Sequence, residues 1–248
     1  MKVSKALGLK ESEIVSLVGG GGKTTLMFRL AEEIPLRYRV VITTTTKIFM
    51  PPQDKSPLVL LGKDLPAEND LNGYFRSDLR PTIGAGLLKN NKVTGISLAQ
   101  LSLLQNYADI ILVEADGSKG LSLKGHLDSE PVIAGSTTVL VVVIGADILG
   151  KALEIKYVHR PEIVSELTGR KMGSIIDAEM IAGLITHPEG ILRDSPSNAR
   201  VVTFINKADR LEDPGEGRRL GRLLLGEKIR KVILGSAIGI DPVLEVME

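Results

Sequence analysis

A run of four glycines followed by a lysine and two threonines constrains this fold more than any other feature of the sequence. The run consists of Gly19, Gly20, Gly21, Gly22, Lys23, Thr24 and Thr25. An apolar segment, residues 14–18, precedes it, and a segment with helical periodicity, residues 24–34, follows it. Glycines let the backbone fold closely around an anion, and the start of a helix adds unpaired N–H groups and a positive dipole end. The sequence therefore predicts a strand, a phosphate-binding loop and a helix, in that order.

Such a loop predicts a nucleoside triphosphate and Mg²⁺ as ligands. The lysine of these loops contacts the β- and γ-phosphates and the next threonine binds the metal, which assigns these tasks to Lys23 and Thr24. The full pattern has a glycine six positions before the lysine, where this chain has Leu17. The loop is therefore a shorter G-x-x-G-K-T-T version that begins at Gly19. A plain glycine-rich turn is the alternative interpretation.

Composition indicates a single α/β domain with an aliphatic core. The chain has 248 residues, of which 43% are hydrophobic and only 3% aromatic. Its 31 Lys and Arg residues balance 30 Asp and Glu residues, which gives no sign of a nucleic-acid partner. The absence of cysteine excludes disulfides and thiolate sites. Because no segment resembles a signal peptide or a membrane span, we expect a cytoplasmic protein without a membrane partner.

Short β-branched runs alternate with helical segments, which predicts a doubly wound, mostly parallel sheet with helices on both faces. The predicted strands are residues 14–18, 40–44, 110–114, 139–144, 201–205 and 231–234. The predicted helices are residues 24–34, 98–106, 162–167, 175–185 and 218–225. We expect the three-layer architecture of P-loop NTPases, as one nucleotide-binding domain over residues 1–248. Two long connections, residues 51–95 with a small strand at 58–61 and residues 147–198, are interpreted as insertions.

Asn206, Lys207 and Asp209 follow the strand predicted at 201–205. Their N-K-x-D spacing is typical of guanine recognition in GTP-binding proteins. A carboxylate at Asp209 accepts hydrogen bonds from N1–H and the exocyclic amine of guanine, whereas adenine has an acceptor at N1 and no such amine. Asn206 would contact the base and hold neighbouring loops, and the stem of Lys207 would lie along the ring. The spacing favours GTP over ATP, and a helix N-cap at Asp209 is the alternative.

Ser236 and Ala237 come shortly after the last predicted strand. GTP-binding proteins often place a Ser-Ala pair here, so that a backbone N–H meets the guanine O6. Two small residues after a strand are also common in ordinary turns. The pair therefore adds weak support for guanine binding.

Glu114 and Asp116 lie at the end of the strand predicted at 110–114. A buried strand that delivers carboxylates at its end is typical of Mg²⁺ sites beside phosphates, and Glu114-x-x-Gly117 takes the place of the D-x-x-G of GTPases. Spacing does not decide which carboxylate approaches the metal, because alternation places both on one side of a strand. We predict Lys23, Glu114 and Asp116 as catalytic and Thr24, Glu114 and Asp116 as metal ligands, with a solvated turn as the alternative.

Other polar residues near these motifs have weaker interpretations. The threonines at 43–46 and Lys47 suit a strand end, or a switch-like segment beside the γ-phosphate. We interpret Lys119 and Lys124 as solvated surface lysines rather than anion ligands. His159 and Arg160 are a candidate anion contact. The three histidines of the chain lie too far apart in sequence to predict a transition-metal site.

Together these residues resemble the YqeC family, described as accessory proteins of selenium-dependent molybdenum hydroxylases. The resemblance is carried in chain order by residues 18–25, 43–47, 113–118 with Lys119 and Lys124, 130–133, 159–160 and 206–209. The family often has a histidine directly before its Glu-Pro-Val, where this chain has Ser129, with His126 nearby. The resemblance implies a P-loop NTPase-like fold and a maturation role, with a molybdenum hydroxylase or a cofactor-assembly protein as partner.

Three functions follow from these observations. We favour a Mg²⁺-dependent GTP-binding protein and slow GTPase that assists assembly of a selenium- or molybdenum-containing enzyme. The pattern at Glu114 is similar to that of the GTPases that assemble the metal centres of urease and hydrogenase. The second is an ATP-dependent kinase or ligase acting on a small anion, since the short loop is similar to that of the Mur ligases. The third is a non-catalytic, nucleotide-gated switch, because the sequence identifies no residue that must position an attacking water.

Overall fold

The structure is a computed structural model in which residues 1–51, 56–61 and 68–248 are described. The helices are α1 (Val3–Leu7), α2 (Lys23–Glu33), α3 (Glu68–Arg76), α4 (Leu98–Leu104), α5 (Pro161–Thr168), α6 (Ala178–Thr186) and α7 (Pro214–Leu224). The strands are β1 (Glu13–Gly19), β2 (Val40–Thr44), β3 (Lys47–Phe49), β4 (Leu58–Leu60), β5 (Thr82–Gly84), β6 (Gly86–Leu87), β7 (Lys92–Thr94), β8 (Ile110–Glu114), β9 (Leu123–Lys124), β10 (Val139–Gly145), β11 (Val158–His159), β12 (Arg200–Asn206), β13 (Ile229–Gly235) and β14 (Val243–Met247).

Nine strands form the main sheet, in the order β14-β13-β12-β10-β1-β8-β2-β5-β4. Within the described residues its neighbouring strands are all parallel except β13 and β14. The chain first leaves β1 toward β2 on one side and later crosses from β8 to β10 on the other. Ligands of doubly wound sheets bind at the carboxyl edge where the connections diverge in this way. The predicted α/β class is confirmed, and the architecture is consistent with a P-loop NTPase-like fold.

Helices cover both faces of the sheet, because the central strands are apolar on both sides. Along β10, the side chains of Leu140, Val142 and Ile144 pack on one face, and those of the intervening valines pack on the other. Helices α1 and α2 lie on the valine face, while α5, α6 and α7 lie on the opposite one. The three layers therefore follow from the uninterrupted hydrophobic runs of the sequence.

The six predicted strands are all present, and the helix boundaries show where side-chain caps overrule periodicity. The helix predicted from residue 175 begins at Ala178, because the Asp177 carboxylate accepts the Met180 N–H at 2.8 Å. The helix predicted from residue 218 begins earlier, at Pro214, because Asp213 caps it. The helix predicted over 98–106 ends at Leu104.

The predicted insertion at 51–95 contributes partly to the main sheet. Strands β4 and β5 extend that sheet in parallel, whereas β6 and β7 join β3 in a separate three-stranded antiparallel sheet. Residues 52–55 and 62–67 of this prediction lie outside the described residues. The segment predicted as an insertion at 147–198 contains β11, α5 and α6.

Among the helices of the described ranges, none is both long enough and apolar enough to cross a membrane.

Candidate functional site

The parallel strands bring the predicted motifs to one edge of the sheet. Strand β1 ends at Gly19, β8 at Glu114, β12 at Asn206 and β13 at Gly235. Because parallel strands point the same way, the segments after them meet above the same edge. Residues from four distant parts of the sequence therefore share one site.

The glycine loop has a backbone and a packing that other residues do not tolerate. Gly21 and Gly22 have φ values of 79° and 114°, a region that side chains strongly disfavour. A Cβ atom on Gly21 would lie 2.1 Å from the backbone nitrogen of Gly145, and one on Gly22 would lie 2.6 Å from the Asn206 amide nitrogen. The glycines therefore permit both the turn and the close approach of the neighbouring loops.

The start of α2 presents N–H groups that can bind an anion. Gly22 is the N-cap residue, and no side chain caps this end of the helix. The first helical hydrogen bond runs from the Leu26 N–H to the Gly22 carbonyl at 3.0 Å. The preceding N–H groups, which have no acceptor within the helix, belong to Lys23, Thr24 and Thr25. These groups and the helix dipole favour a phosphate at this position.

Two other N–H groups of the loop are bonded within the protein. The Gly20 N–H donates to the Val143 carbonyl and the Gly21 N–H donates to the Leu121 carbonyl, both at 2.9 Å. These bonds fix the first half of the loop against its neighbours. The donors that the loop can offer to a ligand are therefore concentrated at its helical end.

Lys23 is buried among oxygen atoms at the base of the loop. Its Nζ donates to the Gly19 carbonyl at 2.6 Å. The same Nζ lies 3.1 Å from Asp116 Oδ1 and 3.9 Å from Glu114 Oε1. The structure thus joins the three residues predicted as catalytic in one ionic cluster.

Thr24 and Glu114 form the pair that best fits Mg²⁺. The Thr24 hydroxyl donates to Glu114 Oε2 at 2.6 Å. Burial raises the pKa of the Glu114 carboxyl, and the nearby Lys23 ammonium and the Thr24 hydrogen bond oppose that rise. Mg²⁺ commonly takes one or two carboxylates and completes its coordination with phosphates and water. A single carboxylate and a hydroxyl beside the loop suit that chemistry, and the described residues contain no cluster of three or more His, Asp or Glu side chains that could hold a metal by themselves.

Both carboxylate oxygens of Asp116 accept hydrogen bonds from donors of the protein. Its oxygens accept the Gly19 N–H at 3.1 Å, and Oδ2 lies 3.1 Å from Lys124 Nζ and 2.7 Å from His126 Nε2. Burial alone would raise the pKa of Asp116, but Lys23, His126 and Lys124 outweigh burial and hold the pKa well below its usual range. The carboxylate is therefore ionised, and it could bind a metal only by losing some of these contacts. The geometry favours Glu114 over Asp116 as the metal ligand.

Lys124 is completely buried, so the interpretation of this residue as a solvated surface lysine was wrong. Its Nζ lies 2.7 Å from Glu130 Oε2, and Glu130 in turn accepts from Arg160 at 2.6 Å. Burial opposes ionisation of Glu130, but its hydrogen bonds to Arg160 and Lys124 hold its pKa below the usual range. Lys119 is exposed, as expected. The structure thus connects Asp116, through Lys124 and Glu130, to the predicted anion contact Arg160.

His126 had no assigned role in the sequence, although it packs directly against Asp116. Burial lowers the pKa of His126, and the hydrogen bond to Asp116 only partly offsets this. The neutral ring therefore donates its Nε2–H to the carboxylate. A turn with positive φ at Lys119 and Gly120 folds this segment back over the carboxylates. The return of this segment toward Asp116 could have been anticipated from the glycine in this turn and from the alternating leucines that follow it into β9.

The threonines after β2 lie against Glu114 through its backbone. The Thr44 hydroxyl and the Thr45 N–H both donate to the Glu114 carbonyl, at 2.7 and 3.1 Å. The Thr45 hydroxyl donates to the Val132 carbonyl at 2.9 Å. The predicted switch-like segment is thus adjacent to the carboxylate that best fits the metal.

Asn206 joins three loops at the edge of the sheet. Its amide nitrogen donates to the Gly21 carbonyl at 2.7 Å, and its amide oxygen accepts the Ala237 N–H at 2.8 Å. The neighbouring Ser236 N–H donates to the Pro242 carbonyl at 2.9 Å. The N–H groups of both Ser236 and Ala237 are therefore bonded within the protein, and the predicted donation from this pair to guanine O6 would require one of these bonds to open.

Lys207 and Asp209 have different environments. Lys207 Nζ donates to the Ser122 hydroxyl at 2.8 Å and lies 2.9 Å from Asp147 Oδ2, so its stem is directed at this pair. Asp209 lies exposed in a 3₁₀ turn, Ala208–Arg210, and makes no side-chain hydrogen bond with the described residues. It is not a helix N-cap, because Asp213 caps the helix that follows. The Asp209 carboxylate is available to a ligand.

A cavity of about 540 Å³ lies beside the first turns of α2. Its lining includes Thr25 and Phe28 from the helix, Ala237 and Ile238 from the loop after β13, and the polar side chain of Arg80. Its position next to the helical end of the glycine loop provides room for an organic group attached to a bound phosphate.

Comparison with known proteins gives two findings. The family model described as YqeC protein matches residues 15–162. A protein of Escherichia coli K12, described as uncharacterized protein YqeC, is 31% identical over 232 residues, which cover 92% of this chain and 88% of that protein. The matched range of the family model includes the glycine loop, both strand-end carboxylates and Arg160.

Proposed function

This chain belongs to the YqeC family, and from the geometry of its glycine loop we propose that it is a Mg²⁺-dependent nucleoside triphosphate-binding protein and slow NTPase that uses GTP. We further propose that it acts as an accessory or maturation factor for a selenium- or molybdenum-containing hydroxylase, the role that the sequence resemblance implies. Its ligand would be a nucleoside triphosphate and its partner a molybdenum hydroxylase or a cofactor-assembly protein.

The glycine loop is the observation that carries this proposal. It combines a turn of positive φ, free N–H groups at the start of α2, and a buried lysine among carboxylates. A buried lysine is costly unless it is paired, and ion pairs of this kind rarely serve stability alone. Phosphate binding explains why the chain keeps Lys23 at this position.

Each residue of the site has a task in this proposal. The N–H groups of Lys23, Thr24 and Thr25 would hold phosphate oxygens, and Lys23 would stabilise charge that develops during cleavage. Thr24 and Glu114 would hold Mg²⁺, which neutralises charge on the phosphate oxygens when bound. Lys124 and Arg160 lie outside the loop and pair with carboxylates, so Lys23 is the cation that the loop itself would offer to the phosphates, and with a single such cation we expect slow turnover.

The preference for GTP rests on Asp209. Its carboxylate has no partner among the described residues, and Asn206 anchors the same turn to the glycine loop. A free carboxylate at this place suits the two adjacent donors of guanine.

The proposal is tested by titrating GTP and ATP, each with Mg²⁺, into the wild type and Lys23→Ala by calorimetry. We expect the wild type to bind GTP more tightly than ATP, and the variant to lose at least about a hundredfold in GTP affinity, since several charge-assisted hydrogen bonds are removed.

Lys171→Ala, at an exposed lysine outside the site, is the matched control and should bind as the wild type does. Thermal melts verify that each variant is folded. Unchanged GTP affinity in folded Lys23→Ala would contradict the assignment of the loop. Tighter binding of ATP than of GTP by the wild type would instead favour an ATP-dependent kinase or ligase.

A further inference from the structure

Asp116 lies among donors that a phosphate is expected to use. Its carboxylate contacts the first N–H of the glycine loop, from Gly19, at 3.1 Å. It also contacts the lysine of that loop, with 3.1 Å between Oδ1 and Lys23 Nζ. Backbone N–H groups and lysine ammonium groups are the usual partners of phosphate oxygens in such loops. The chain thus places one of its own anions against its predicted phosphate-binding group.

Lys23 has two close oxygen neighbours in this arrangement, and one of them is the carboxylate of Asp116. The Nζ atom of Lys23 lies within hydrogen-bond distance of the Gly19 carbonyl, at 2.6 Å, and of Asp116 Oδ1, at 3.1 Å, whereas Glu114 Oε1 at 3.9 Å lies beyond it. A phosphate oxygen that approaches Lys23 therefore meets a carboxylate that already holds the ammonium group. The carbonyl of Gly19 is part of the loop, and Glu114 is the most distant of the three, at 3.9 Å. Asp116 is therefore the principal anionic competitor for the ammonium group.

Asp116 also has partners that would remain after such a release. Lys124 and His126 contact Oδ2 at 3.1 and 2.7 Å and do not belong to the glycine loop. They keep the buried carboxylate compensated when Lys23 turns to another anion, so the exchange does not leave an unpaired buried charge. Asp116 can therefore lose its contact with Lys23 and still keep its hydrogen bonds to Lys124 and His126.

We propose that Asp116 is an internal competitor of the nucleotide, because its carboxylate and the terminal phosphates compete for Lys23. This inference rests on the proposed function, since it concerns regulation of the same loop. Binding of a triphosphate then shifts Asp116 toward Lys124 and His126.

The test measures GTP affinity, with and without Mg²⁺, in Asp116→Asn. An asparagine has nearly the same shape but cannot compete as an anion, so we expect GTP to bind about tenfold more tightly, the effect of one hydrogen bond to a charged group. A metal-ligand role for Asp116 makes the opposite prediction, namely weaker binding that is confined to the measurements with Mg²⁺.

Two further variants separate competition from a general change in charge. Asp116→Asn combined with Lys124→Met removes one negative and one positive group, so the net charge of the site is unchanged, and the gain in affinity should persist. This pair also avoids an uncompensated buried lysine if the single variant does not fold. Glu130→Gln removes a carboxylate that contacts Lys124 but not the glycine loop, and its GTP affinity should match that of the wild type.

Each result decides the proposal. A gain in both Asp116 variants without a gain in Glu130→Gln supports internal competition. Unchanged or weaker binding in the Asp116 variants, or an equal gain in Glu130→Gln, overturns it. If wild type and all variants fail to bind any nucleotide, the proposed function itself is wrong and this inference is lost with it.

Discussion

At the scale of single residues, the choice of nucleotide depends on Asp209. Sequence spacing predicts this residue as the reader of guanine, and a helix cap was the alternative. The structure places it in an exposed 3₁₀ turn and gives the cap of α7 to Asp213. Its carboxylate therefore keeps its hydrogen-bonding capacity for a ligand.

We expect the substitution Asp209→Asn to change the nucleotide preference of the protein from GTP to XTP. The amide of asparagine can donate to the additional carbonyl of xanthine, whereas it meets donors in guanine. We expect GTP affinity to fall by at least about tenfold, since two hydrogen bonds to a charged group are lost. Competition binding of GTP, XTP and ATP measures the change.

Asp213→Asn is the matched control, because asparagine caps a helix as well as aspartate does. It should retain the wild-type preference for GTP. Equal binding of GTP and XTP by the wild type, unaffected by Asp209→Asn, would contradict guanine recognition by this residue.

At the scale of elements, the turn from β1 into α2 is defined by its glycines. An exposed glycine in a helix has the opposite effect on stability, because its φ is ordinary and a side chain would have room there. Gly183 lies in the exposed part of α6, and a Cβ atom there would meet nothing within 4 Å. Gly21 has positive φ, and a Cβ atom there would lie 2.1 Å from a neighbouring backbone nitrogen.

Opposite effects on stability are expected from alanine at these two positions. Gly183→Ala should raise the free energy of unfolding by up to about 1 kcal/mol, because alanine loses less backbone entropy in a helix. Gly21→Ala should lower it by about 2 kcal/mol or more, because a strained φ and a steric clash both act. Urea unfolding measures both, and equal effects of the two substitutions would contradict the loop geometry described above.

At the scale of the whole molecule, the site is a set of buried charges at the carboxyl edge of a hydrophobic sheet. Asp116, Lys124 and His126 are buried together, so their ionisation is linked to folding. Burial lowers the pKa of His126 and of His159, and for His159 the cations Arg160 and Lys124 add to the effect. Folding therefore disfavours the protonated form of both histidines.

Stability is expected to fall as the pH drops through the ordinary pKa of histidine, about 6.5. The sign follows because the unfolded chain binds protons at His126 and His159 that the folded protein excludes, so unfolding becomes easier at lower pH. His126→Gln keeps an N–H donor for Asp116 and should reduce this fall. Urea unfolding between pH 7.5 and 5.5 measures it, above the range in which carboxylates with a lowered pKa lose their charge, and the same comparison in a Glu114→Gln background removes the opposite contribution of the carboxyl whose pKa burial raises. An identical fall in His126→Gln and wild type would contradict the assignment.

Much of the fold was predictable because its signals are local. The six central strands appear as continuous apolar runs, since both faces of a parallel sheet are buried. The strand β14 and the helix α1 were not predicted, and α1 is only five residues long, too short for its periodicity to be recognised. The predicted starts of two helices, at residues 175 and 218, were wrong, because the caps at Asp177 and Asp213 fix the starts at Ala178 and Pro214.

The amino-acid sequence alone specified the turn of the glycine loop and the order of the elements, since glycine conformation and hydrophobic periodicity act over a few residues. The partners of the charged groups depended on the folded chain. In the folded chain Lys207 pairs with Asp147, and Lys124 is buried between Asp116 and Glu130. The Glu114 carboxylate accepts a hydrogen bond from the Thr24 hydroxyl. A lysine that looks solvated in the sequence becomes an interior cation only in the folded chain, because the turn at Lys119 and Gly120 and the packing around it decide which charges meet.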